Sequence, residues 1–116
     1  MSNSAEAILG YGLVVGIIEN NNGQVAIENK YLAATGSTLE ASPFILQNHG
    51  NIHCDTELLV FIEDSIFTTS EYNDSISIDP QRIIINPSWD QLLLEFCTAV
   101  EIDYKNPSWR LCVFYG

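Results

Sequence analysis

A chain of 116 residues with 47% apolar and 10% aromatic side chains is long enough to bury one core without metals or disulfides. Fifteen acids face four bases, Lys30, Arg82, Lys105 and Arg110, and the formal net charge of −11 argues against direct binding to nucleic acid or to an anionic membrane. No apolar run approaches the roughly 18 residues that read as a membrane span, and the opening Met1-Ser2-Asn3-Ser4-Ala5-Glu6 lacks the basic segment of an export signal, so a cytoplasmic protein is expected.

Ala7–Ile18 is rich in Ile, Leu, Val and Tyr and reads as a strand. Gly10, Gly12 and Gly16 recur in it at even spacing, which leaves one face almost without side chains. Either a bulky neighbour such as Trp89 or Trp109, or a ligand or partner backbone, is expected to close on that face. After the turn signal Asn22-Gly23, residues 23–34 fit both a hairpin strand and a short helix; residue types and a stop at Gly36 favour the helix. A loop over 37–42 leads through Pro43 to the apolar run Phe44-Ile45-Leu46, and Asn48-His49-Gly50-Asn51 reads as a turn.

Glu57–Ile62 is apolar enough to be buried on both faces and belongs in the middle of a sheet. A bend or bulge near Glu63-Asp64 then carries the chain into another β-favouring stretch over 65–72. A turn at Tyr72–Ser75 and an edge strand over 75–78, with Ile76 and Ile78 inward, complete this part. Asn86 and Pro87 supply a helix cap and first turn, and Trp89, Leu92, Leu93, Phe96, Cys97 and Val100 share one face of a helix over 87–101. The last strand, Trp109–Tyr115, is apolar on both faces, so it is expected inside the sheet beside Ala7–Ile18. The tetrapeptide Asn-Pro-Ser-Trp announces both the helix and this strand, at Asn86 and at Asn106, as a reused turn. The fold expected is α+β in a single domain: an antiparallel or mixed sheet of about five strands, one main C-terminal amphipathic helix on a face, and a second short helix.

Chemistry-bearing patterns are sparse. His49, His53, Cys54 and Asp55 have metal-ligand character, but Gly50 and Asn51 break the helical spacing and no further ligands accompany them, so no metal is expected. Cys54 beside His53 does not place a base against a nucleophile, Glu63 and Asp64 point opposite ways on a strand, and no phosphate loop, nucleophile elbow or dinucleotide fingerprint is present. Neither an enzyme nor a cofactor is expected. Cys54, Cys97 and Cys112 are an odd number and read as reduced thiols, two of them in the core. What stands out is a stretch without bases between Lys30 and Arg82 that holds Asp55, Glu57, Glu63, Asp64, Glu71, Asp74 and Asp79. Such a face either keeps the protein dispersed or meets a basic partner.

Four segments, Ile8-Leu9-Gly10-Tyr11-Gly12, the run from Leu58 to Ser65, the helix from Trp89 to Cys97, and the ending from Trp109 to Gly116, resemble small proteins encoded by tailed phages and prophages. In that group the last aromatic is often Trp, where this chain has Tyr115, and the closing Gly is shared. The resemblance implies an accessory protein acting inside a bacterial host, a class that includes inhibitors of host defence. The functional expectation is a non-enzymatic inhibitor that meets a basic host or phage protein through the seven acids, of anti-CRISPR or anti-restriction type. The alternatives are an oligomeric accessory or assembly module, and a small-ligand sequestering protein built on the glycine-lined strand and the two tryptophans.

Overall fold

The structure is a computed structural model that describes residues 5–18, 21–49, 56–69, 77–84 and 86–115. Helix α2, Pro87–Ala99, begins where the sequence places it: the Asn86 side chain accepts a hydrogen bond from the Ser88 N–H at 2.9 Å, and Pro87 fills the first turn. It stops when Glu101 enters the left-handed region at φ 63 and the Ile102 N–H returns to the Cys97 carbonyl at 2.9 Å. The helix expected over 23–34 is present and longer, as α1, Asn21–Thr35. Gly36 ends it at φ 75, its N–H bonded to the Leu32 carbonyl.

The sheet is antiparallel throughout, with β1 (Ala5–Ile18), β2 (Phe44–His49), β3 (Thr56–Ile62), β4 (Phe67–Thr69) and β5 (Ser108–Tyr115). One edge of β1 pairs with β3 and then β4, which follow each other along the chain and are separated by a 3-10 turn at Glu63–Ser65. The bend expected at Glu63-Asp64 is this turn. It leaves Tyr11 without a strand partner on that side, and the Tyr11 N–H donates instead to Ser65 Oγ at 2.8 Å, while Ser65 Oγ donates to the Ile62 carbonyl. The other edge of β1 pairs with β5 from Ala5↔Tyr115 to Gly12↔Ser108. β2 lies outside β3.

Both helices pack on one face. Leu93, Phe96, Cys97 and Val100 of the α2 face are buried, with Trp89 and Leu92 partly so, against Tyr11, Leu13, Val60 and Ile62 of the sheet. Tyr31 of α1, Phe44 of β2 and Phe96 of α2 close this core, with ring centroids 5.0–6.0 Å apart. The opposite face carries a smaller cluster of Leu59, Phe61 and Cys112 with Ile8, Val14 and Ile66.

As expected, the main helix leads into a terminal strand, β5. Three expectations need correction. β5 is beside β1 but not inside the sheet: among the described residues it pairs with β1 alone and forms an edge. What closes on the glycines is neither tryptophan. A Cβ on Gly10 would lie 2.9 Å from the Phe61 ring, and one on Gly12 would lie 1.9 Å from the Val60 carbonyl oxygen. A bulge between Val14 and Gly16 moves Gly16 out of this series, opposite Leu58, with open space where a Cβ would stand. Finally, the edge strand expected over 75–78 is irregular where it is described, from Ser77; Ile76 and the Tyr72–Ser75 turn lie outside the described residues, as do Gly50 and Asn51.

Two results follow for stability. Gly12→Ala drives a methyl group into the backbone of β3, with an expected loss of more than about 3 kcal/mol, whereas Gly16→Ala stays within about 1 kcal/mol of the parent. Urea midpoints that fall equally in both would disprove the close β1–β3 approach. On α2, Leu93→Ala or Phe96→Ala costs roughly 2–5 kcal/mol, and exposed Glu95→Ala little; equal midpoints for Leu93→Ala and Glu95→Ala would show that the buried face is misassigned.

Candidate functional site: an acidic groove along β2

Of the seven acids singled out in the sequence, the four that the structure describes do not gather in one patch. Glu57 is half-buried at the start of β3, and Glu63 and Asp64 are exposed on the turn at its other end, roughly 20 Å away at the rise of a strand. Asp79 is exposed and caps the 3-10 turn Pro80–Arg82, its carboxylate accepting from the Gln81 N–H at 2.9 Å. Asp55, Glu71 and Asp74 lie outside the described residues, as do His53, Cys54 and the His49 side chain. Among the described residues no three His, Cys, Asp or Glu side chains form a cluster able to hold a metal ion, and Cys97 and Cys112 are buried free thiols.

What the structure brings together is Glu63 with two acids the sequence reading did not select, Glu28 and Glu40. They line a groove of about 340 Å³ whose other walls are Gln24, Leu39, Phe44, Ile45 and Leu46. Three local devices set it. The Asn48 amide of β2 donates to Gln24 Oε1 of α1 at 3.0 Å and holds the helix along the strand. Ser42 Oγ donates to the Leu39 carbonyl at 2.6 Å and receives the Phe44 N–H, which fixes the 3-10 turn Leu39–Ala41 that carries Glu40. The Glu63 N–H donates to the Pro43 carbonyl at 2.9 Å and anchors the acidic turn at the mouth of β2. A second groove of about 380 Å³, lined by Asn29, Leu32 and Thr38, shares Glu28, Leu39 and Glu40 with the first. The signal that would have found Glu28 and Glu40 is spatial: each is a lone exposed acid in sequence, and only the packing of α1 on β2 makes them neighbours.

The second concentration of chemistry is aromatic. Tyr11, Trp89 and Trp109 stand in mutual contact, every pair of ring centroids 5.9 Å apart, so the tryptophans of the two Asn-Pro-Ser-Trp copies meet. The Tyr11 hydroxyl donates to Asp90 Oδ1, and the Trp109 indole donates to the Ile84 carbonyl at 2.9 Å. The Arg82 guanidinium lies 4.6 Å from the centre of the Phe67 ring, which itself packs on Trp109. These rings fill their own space and work as a packing node between sheet, helix and the 80–84 segment.

Burial, and then the hydrogen bond and charge of Asp90, push the Tyr11 phenol well above its ordinary value of 10.0, and Tyr104 is raised by burial and by the same carboxylate. Burial likewise raises the Cys97 and Cys112 thiols above 9.0. The folded state holds these protons more tightly than the unfolded chain does. Their stabilisation is complete below the unfolded values and is lost as pH rises past them, so unfolding free energy falls above pH 9.0 and falls faster above pH 10.0. Tyr11→Phe lowers stability at neutral pH by about 1–3 kcal/mol and gives a shallower alkaline decline. Urea melts in steps from neutral to strongly alkaline pH measure both, and identical slopes above pH 10.0 in parent and variant would remove Tyr11 from the account.

Among the described residues no helix is long and apolar enough to cross a membrane. Comparison of this chain with family models, with curated proteins and with solved structures finds no match.

Proposed function

We propose that this is a non-enzymatic binding protein that captures a basic protein partner in the groove along β2. The observation that carries the reading is the composition of that groove: Glu28, Glu40 and Glu63 around an apolar floor of Leu39, Phe44, Ile45 and Leu46, with no Lys or Arg in the lining. Lysine and arginine side chains have the complementary build, a charged head on an apolar stem. The carboxylates are carried by a helix and two hydrogen-bonded turns, so little backbone ordering opposes binding. The net charge of −11 adds long-range steering toward a positive surface.

In the setting that the resemblance to phage accessory proteins implies, the partner is a protein of the bacterial host. A nucleic-acid-binding defence component of CRISPR or restriction type offers the basic groove that such a surface fits, and occupying it inhibits. A second reading, an oligomeric accessory or assembly module, is favoured by the exposed edge of β5.

Position and total charge are separated by two triple variants with the same change in net charge. Glu28→Lys/Glu40→Lys/Glu63→Lys reverses the groove; Glu95→Lys/Glu101→Lys/Asp103→Lys reverses exposed acids at the end of α2 and beyond it. Capture of a Lys- and Arg-rich peptide by the parent weakens as salt rises. The groove variant is expected to lose about 100-fold in affinity, several exposed charges acting together, and the control triple at most a few-fold. Equal losses in the two triples would reduce the acidity to a solubilising coat.

A further inference from the structure

We infer that two copies of this chain associate through the free edges of β5, joining their sheets into one antiparallel sheet. β5 runs for eight residues, Ser108–Tyr115, and among the described residues only its β1 side is paired. Among the described residues its other side therefore presents an unpaired row of backbone N–H and C=O groups. Edges that stay monomeric are guarded by proline, bulges or outward charge. β5 contains no proline, its register with β1 runs without a shift, and its one charge, Arg110, folds back to donate to the Asn106 carbonyl at 3.1 Å.

The side chains repeat the message of the backbone. Leu111 is 66% exposed and Val113 40%, both on the face that holds Trp109, and Ile84, whose carbonyl takes the Trp109 indole, is also exposed, as is Ile83 beside it. An apolar margin thus follows the open edge.

Charge selects the occupant. Two chains of −11 repel wherever carboxylates face each other, yet β1 carries a single acid, Glu6 near its start, and the stretch from Tyr104 to Tyr115 carries Lys105 and Arg110 with no acid. The β1–β5 side of the sheet is therefore where a second copy approaches with least repulsion. In a two-fold antiparallel pairing centred on Leu111 or Cys112, Arg110 of one strand stands opposite Cys112 or Phe114 of the other, so the arginines are kept apart. Leu111 and Val113 of both copies then fall on one face of the joined sheet. The sequence-based expectation that this strand is too apolar for an open edge is met in such an assembly.

The test is the mass of the full chain by sedimentation, from micromolar to near-millimolar protein and at low and high salt, together with amide hydrogen exchange. The mass is expected to rise with concentration from 12.9 kDa to twice that value. Added salt strengthens the association by screening the −11 charges, the opposite sign to the salt effect on capture of a basic partner, so the two readings fail separately. With concentration, β5 amides that point away from β1 gain protection and those at the outer side of β2 do not. Leu111→Lys/Val113→Lys stays at 12.9 kDa throughout. A parent chain that remains monomeric at every concentration and salt, a folded double variant that still associates, or β5 amides indifferent to concentration would each overturn the inference; the exchange measurement needs no variant.

Discussion

Tyr11 is the residue through which the separate parts of this fold are held in one arrangement. Its N–H reaches Ser65 on the turn between β3 and β4, its hydroxyl reaches Asp90 on α2, and its ring touches Trp89 of α2 and Trp109 of β5. Each aromatic pair contributes about 0.5–1.5 kcal/mol beyond burial, and the phenol–carboxylate bond is of the stronger, charged kind. Trp109 shares the task from β5, where its ring touches Tyr11, Phe67 of β4 and Trp89 of α2. The repeated Asn-Pro-Ser-Trp acquires a physical sense here, since each copy delivers one tryptophan to the same tyrosine.

The turn that Tyr11 grips from inside is also the one that faces the groove. Ser65 is buried and spends its hydroxyl on Ile62 and Tyr11, while Glu63 and Asp64, two residues and one residue earlier, are exposed. A 3-10 turn makes this division natural, because three successive residues point in three directions. The carboxylates are thereby fixed by the core and not by contacts among themselves, which is what a preformed charged surface requires.

Much of the fold was legible because its periods are unambiguous. α2 has a cap, a proline and a clean three-and-four stripe, and Leu58–Ile62 is buried on both faces as its composition demands. α1 was the ambiguous element for a physical reason: it buries Tyr31 fully and Ile27 in part, and leaves Val25 and Leu32 exposed, so neither period dominates its sequence. The glycines of β1 announced a close approach but not its agent, since Phe61 arrives diagonally from the neighbouring strand and the bulge at Val14/Gly16 removes Gly16 from the series. The acidic groove was half legible. Glu63 and Asp64 were marked by their bend, but Glu28 and Glu40 join Glu63 only after a helix, a 3-10 turn and a strand have folded back on one another.

The charge of this chain is segregated by the sheet, and the segregation links its two proposed surfaces. Reading across the sheet the order is β2, β3, β1, β5, so the acidic groove along β2 and the acid-free edge of β5 lie on opposite sides. Joining two copies at β5 would leave both grooves open at the far margins of the combined sheet, four strands from the seam in each direction. A partner with two basic sites at that span would meet the second groove at an effective concentration set by rigid strands and not by a flexible linker. Its avidity would exceed the affinity of one groove, while a partner with a single basic site would gain nothing from the assembly.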